Sequence, residues 1–149
     1  MKNTQNFVNG IQEHHVPLEH AENTVNRSSC HDVVVIRPQN RYCDAEHGFE
    51  RGWGISAKLT GSAALSMATG KLKAGVRSTA HAHDFETGIK IEAGGCRVYY
   101  GNRPNKLDSY VDVKKDDFIY IPAGIYHMPV TTSQEPMEYV VCRNTPIED

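Results

Sequence analysis

Two separated segments constrain this chain most: Gly75-Val76-Arg77-Ser78-Thr79-Ala80-His81-Ala82-His83-Asp84-Phe85-Glu86 and Pro122-Ala123-Gly124-Ile125-Tyr126-His127. Each lies on or beside a stretch that reads as β-strand. Together they offer His81, His83, His127 and the carboxylate of Glu86. Neutral imidazole nitrogens and a carboxylate oxygen suit a divalent transition metal, and such a site leaves coordination positions open for substrate. A lone His-any-His pair occurs often on a solvated strand edge. Joined to Gly75, Glu86 and a distant Pro-any-Gly-two-His in fixed order, it becomes a specific pattern.

The intervening chain is written in short segments rich in Val, Ile, Tyr and Phe, punctuated by Gly, Pro and Asn, which is the pattern of an all-β domain. Residues 33–36 form an apolar run ending at Arg37-Pro38. Residues 62–68 and 71–74 flank Thr69-Gly70, which reads as a hairpin turn. After the histidine pair, residues 87–92 run into Gly94-Gly95, and residues 96–100 into the turn-rich Gly101-Asn102-Arg103-Pro104-Asn105. Three further strands are expected over 109–113, 117–121 and 138–142. Helical spacing is weak: Val8, Ile11 and His15 share a face, but Pro17 interrupts it. Residues 1–30 are therefore expected to be a polar arm, and residues 31–149 the β domain.

With 149 residues the chain can bury about two-thirds of its unfolded surface, enough for a single core without disulfide or structural metal. Its 16 basic and 18 acidic side chains are interspersed, with no basic block to track a phosphate backbone, so nucleic acid is not an expected partner. No stretch approaches the roughly 20 apolar residues of a membrane span, and the N-terminus lacks the apolar run of a signal peptide. A cytoplasmic protein with no membrane partner is expected. Cys30, Cys43, Cys96 and Cys142 are far apart and read as free thiols. Cys30-His31 with Cys43 and His47 fits no compact zinc hairpin. His14, His15 and His20 lie in the polar arm and read as solvated.

The two segments resemble the two motifs of the cupin superfamily. That family's first motif is Gly, five residues, His-any-His, three or four residues, Glu, six residues, Gly; its second is Gly, five residues, Pro-any-Gly, two residues, His. Gly75 stands six before His81, and Pro122, Gly124 and His127 match the second motif position for position. Glu86-Thr87-Gly88-Ile89 and Asp117-Phe118-Ile119-Tyr120-Ile121-Pro122 look like small single-domain bacterial cupins. The resemblance implies a small β-barrel of two packed antiparallel sheets over roughly residues 33–143, with one metal ion inside. It also implies a homodimer, with the N-terminal arm open to exchange between subunits.

The pattern departs from the motif at three places. Only two residues separate His83 from Glu86, and Thr87 occupies the position that Gly94 would assign to the ligand. Side chains alternate faces along a strand, so a one-residue displacement turns a carboxylate from the interior to the outside. Two arrangements follow. In one, an irregular strand start lets Glu86 complete a three-His, one-Glu site; in the other, His81, His83 and His127 hold the metal alone. The first is the expectation, because a carboxylate near the ion offsets its charge. Asp116 replaces the second motif's opening glycine, and Thr131 its terminal Asn.

An ion with open positions can act as a Lewis acid, or bind dioxygen beside a chelated substrate. The expected function is that of a metal-dependent enzyme acting on a small oxygenated organic molecule, with a mononuclear non-haem iron dioxygenase as the leading reading. Iron is the expected metal, with Mn, Ni or Zn as alternatives. A non-redox lyase, decarboxylase or isomerase is the second reading, and a non-catalytic small-molecule binding module the third. Arg77, Tyr99 and Tyr120 are the candidate substrate-binding residues, as hydrogen-bond or carboxylate partners; Arg143 and Trp53 could serve similarly. Each also has a bland reading, because tyrosines pack well on pleated sheets and arginines are usually solvated.

Overall fold

The computed structural model describes residues 6–8, 11–13 and 33–148. Most of the expected arm, with His14, His15, His20 and Cys30, lies outside the described residues, as does His31. Within it, β1 (Asn6–Val8) and β2 (Ile11–Glu13) pair antiparallel as a separate two-stranded sheet.

The strands that follow are β3 (Tyr42–Glu46), β4 (Phe49–Ile55), β5 (Ser66–Leu72), β6 (Thr87–Ala93), β7 (Gly95–Gly101), β8 (Ser109–Lys114), β9 (Phe118–Ile121), β10 (Tyr126–Thr131) and β11 (Met137–Arg143). A short α-helix, α1 (Ala57–Thr60), is capped by the Ser56 hydroxyl, which accepts from the Leu59 amide. Six strands form one sheet in the order β3-β4-β5-β11-β6-β9, and three form the other in the order β10-β7-β8. Every pairing is antiparallel. The fold is thus the all-β, two-sheet architecture expected.

Alternation along each strand builds the interior. On β6, Thr87 and Ile91 are buried while Gly88 and Glu92 are exposed; on β11, Met137, Tyr139, Val141 and Arg143 are buried while Glu138 and Cys142 are exposed. The core gathers Trp53, Ala68, Leu72, Ile91, Cys96, Val98, Met137, Tyr139 and Val141 from both sheets. Fully burying a side chain such as Leu72 or Ile91 contributes roughly 1.5–3 kcal/mol.

Two expected elements differ. Residues 33–36 form no strand, and Val33, Val34 and Val35 are exposed. Thr69-Gly70 is no turn, because β5 runs straight through it. Glycine is needed at position 70 for another reason: the Tyr139 ring, on the directly opposed residue of β11, fills the space that a Cβ would occupy. The β3–β4 hairpin, unforeseen from sequence, turns on His47 (φ 51°) and Gly48 (φ 90°) between the paired Glu46 and Phe49. Two successive positive φ values are the signature of the two-residue turn that best fits twisted strands.

Candidate metal centre

The site is built where the segment before β6 crosses β10. His81 and His127 exchange both backbone hydrogen bonds, at 3.1 and 2.8 Å, and the Gly124 amide donates to the His83 carbonyl at 2.7 Å. Gly124 has φ 79°, a conformation that glycine adopts without strain, so the Pro-any-Gly turn delivers His127 to its partner. Thr131 ties down the other end: its hydroxyl lies within hydrogen-bond distance of the Lys73 and Val76 carbonyls and accepts from the Val76 amide. Asp116 takes the left-handed conformation (φ 72°) expected of the glycine it replaces.

Ligand nitrogens of His81, His83 and His127 all lie within 4.8 Å of one another. His81 Nδ1 lies 2.7 Å from the Thr79 carbonyl, and His127 Nδ1 lies 3.0 Å from the Ile125 carbonyl. A carbonyl only accepts, so each Nδ1 carries the proton and each neutral ring presents a bare Nε2. Burial lowers all three. His81 falls to about 4, chiefly by desolvation; His83 to about 3, by desolvation and then the Arg143 charge; His127 is lowered by desolvation. Three neutral imidazoles, two of them oriented by backbone carbonyls, form a donor set that fits a divalent transition metal.

The structure does not bring Glu86 into this group. Its side chain is exposed, and its carboxylate accepts from the Tyr120 hydroxyl at 2.5 Å and from the Asn144 amide at 3.0 Å. Its backbone is tied to Asn144 as well. The cause is strand parity: Thr87, Ile89 and Ile91 line the interior cavity, so Glu86 falls on the other face with Tyr120. Of the candidate substrate-binding residues Arg77, Tyr99 and Tyr120, none lines the cavity beside all three histidines, and Tyr120 lines a neighbouring one that reaches His127. Arg77 is exposed and its backbone pairs with Val130. Tyr99 packs beside Tyr110 on the face opposite Cys96 and Val98. Tyr120 is largely exposed and bound to Glu86.

The cavity beside all three histidines has a volume of about 50 Å³, and a second of about 460 Å³, lined by Ile119, Tyr120, Ile125 and His127 among others, adjoins the site. The smaller cavity's wall is apolar, with Ile89, Ile91, Val98, Ile121 and Val141, and is interrupted by Thr87, Arg51, Arg143, Glu46 and His47. Arg51 pairs with Asp44 and Glu46, and Trp53 Nε1 also donates to Asp44. Trp53 is fully buried and serves the core. Arg143 is 6% exposed, with its guanidinium 5.0 Å from the Trp53 ring and 5.1 Å from the Phe85 ring. His47 was missed as a site residue. It stacks on His81 at 4.3 Å and 4°, with Nδ1 2.6 Å from the Thr79 hydroxyl. The signal that could have found it is His47-Gly48 as a hairpin turn, although only the fold sets that turn over His81.

The fold and site define a class: an antiparallel two-sheet β domain with three histidines gathered inside that could hold a metal ion. The sequence profile of the Cupin domain family matches residues 69–142, and the chain belongs to the cupin superfamily. Among solved structures it is similar to the Bacillus halodurans protein BH2720, with 23% identity and a TM-score of 0.55 over 58% of this chain and 66% of that one. It is also similar to two oxalate decarboxylases. That of Lactobacillus farciminis, solved as a formate complex, is 18% identical with a TM-score of 0.66 over 80% of this chain and 36% of that one. That of Bacillus subtilis, described with Mn(II) centres, is 18% identical with a TM-score of 0.66 over 80% and 32%. The chain thus spans about a third of the decarboxylases' length. No curated protein matches the sequence. Among the described residues no helix is long and apolar enough to cross a membrane.

Proposed function

We propose that this protein is a metal-dependent enzyme acting on a small oxygenated organic molecule, with His81, His83 and His127 as the ligands and oxidative cleavage at non-haem iron as its chemistry. The observation that carries the reading is the convergence of three neutral imidazoles, with Nε2 bare in His81 and His127, beside a small apolar cavity. Bound there, iron would supply open positions for a chelated substrate and dioxygen. The chain's own part is to hold the rings by Thr79 and Ile125, to exclude water with Ile89, Val98 and Ile121, and to limit substrate size.

A non-redox lyase, decarboxylase or isomerase is the second reading. It is favoured by the buried cation of Arg143 on the cavity wall, which would stabilise an enolate or carboxylate.

Elemental analysis of protein purified without added metal tests the centre. Oxygen consumption by protein loaded with Fe(II), Mn(II), Ni(II) or Zn(II), against a panel of diketones, hydroxyketones and hydroxy acids, tests the chemistry. Turnover by the zinc form without oxygen would assign the non-redox reading. Tight ligand binding without turnover by any form would assign a binding module.

A further inference from the structure

Thr87 stands on the inner face at the place where the motif's spacing would set a ligand carboxylate, and its surroundings are built for an anion. Thr87 is 3% exposed and lines the cavity, and its hydroxyl has no hydrogen-bond partner among the described residues. A buried hydroxyl left without a partner costs free energy that a bound ligand would recover. Directly across the sheet, in register with Thr87, stands Arg143, which lines the same cavity. Its guanidinium stands within cation–π distance of both the Trp53 and the Phe85 rings. Burial, and then the neighbouring Arg51, bring its pKa down to about 10, so it remains a cation at neutral pH.

Charge balance points the same way. Beside the cavity, Asp44 and Glu46 both pair with Arg51, so their two negative charges offset the two guanidinium charges of Arg51 and Arg143 with none in excess. A dication held by three neutral imidazoles adds two positive charges, and among the described residues no carboxylate belongs to the histidine group. In a cavity of low dielectric that excess favours an anionic ligand. The space that Thr87 and Arg143 themselves line is about 50 Å³, apart from the larger cavity on the Tyr120 side of His127. One water needs roughly 10–15 Å³ on that measure, so the space suits a ligand of only a few non-hydrogen atoms.

We infer that the substrate is a small 2-hydroxy- or 2-oxocarboxylate whose own carboxylate takes the place of the missing protein ligand, anchored by the Thr87 hydroxyl and the Arg143 guanidinium. This rests on the metal centre proposed above. Thr87 and Arg143 are then the residues that set specificity for acids over neutral diketones or amides of equal size.

The test uses the full chain loaded with Co(II), whose visible absorption bands report both metal binding and ligand entry. Glycolate and its neutral isostere glycolamide are the probes. Saturable spectral change with glycolate, at least tenfold tighter than with glycolamide, is expected. Thr87→Val, which keeps shape and removes only the hydroxyl, should weaken glycolate at least fivefold while Co(II) affinity stays within twofold. Arg143→Gln should weaken it further and abolish the preference over glycolamide. If Arg143→Gln fails to fold, Thr87→Val decides alone. Equal binding of the two probes, or glycolate binding unchanged in Thr87→Val, overturns the inference while leaving the metal centre standing. Absence of Co(II) bands in the parent protein overturns both.

Discussion

His81 and His127, 46 positions apart in the sequence, face each other as a hydrogen-bonded antiparallel pair, each amide donating to the other's carbonyl. Such a pair holds its two Cβ atoms about 5 Å apart on one face, so the imidazoles converge before any ion arrives. Their ring centroids lie 4.3 Å apart. Preorganisation of this kind means that metal need not fold the site.

Replacing one member should therefore abolish metal binding without unfolding the barrel. For His127→Ala the expected result is loss of nearly all bound divalent metal by elemental analysis, with an unchanged β-rich far-ultraviolet spectrum. Metal retained at the parental level would exclude His127 as a ligand.

Glu86→Gln separates the two arrangements open from the sequence. Because the Glu86 carboxylate is engaged by Tyr120 and Asn144, the variant should keep its metal and lose about 1 kcal/mol or less, as an exposed polar contact does. A tenfold or greater drop in metal affinity would return Glu86 to the ligand set.

Stability of the metal-free protein should depend on pH through the buried imidazoles. His81 and His83 have folded-state values near 4 and 3, below the ordinary 6.5, so between these limits the unfolded chain binds more protons. Stability is then full above about pH 6.5 and falls as pH drops toward 4. Urea midpoints at pH 7.5, 6 and 5 measure this; a midpoint that rises on acidification would contradict the buried neutral rings.

Gly70→Ala probes the core beneath the site. Its new methyl would meet the Tyr139 ring, itself packed edge-on against Phe49, so the ring must move out of the cavity wall. Overpacking of this kind costs about 1–3 kcal/mol, which a thermal or urea unfolding curve would register. A variant as stable as the parent would mean that Tyr139 relocates without penalty.

The expected homodimer is open to sedimentation velocity, which should give twice the 16.6 kDa of one chain. Exposed Val33 and Phe118 supply apolar surface for such a contact. A single species at 16.6 kDa in micromolar protein would exclude it.

Much of the barrel was legible because burial on one face imposes period two, and residues 87–92, 96–100 and 138–142 carry that alternation in their own composition. Position 70 was not, since a glycine in a strand looks like a turn until the Tyr139 ring is known to lie over it. Residues 33–36 failed for the opposite reason: three valines favour a strand, yet a strand also needs a partner, and the described residues offer them none. The glycine-like role of Asp116 shows that a motif's residue can change while its backbone angle is kept.

By itself the sequence determined that this chain forms an all-β domain and that His81, His83 and His127 belong together, because spacing and alternation are local and survive in one dimension. Which face Glu86 shows could be posed from the sequence as a question of parity, but only the registered strands answered it, turning Thr87 inward and handing the carboxylate to Tyr120 and Asn144. The meetings of His47 with His81, and of Arg143 with Thr87, were decided by tertiary structure alone. They join residues from separate strands and turns, and nothing short of the closed sheet brings such groups within reach.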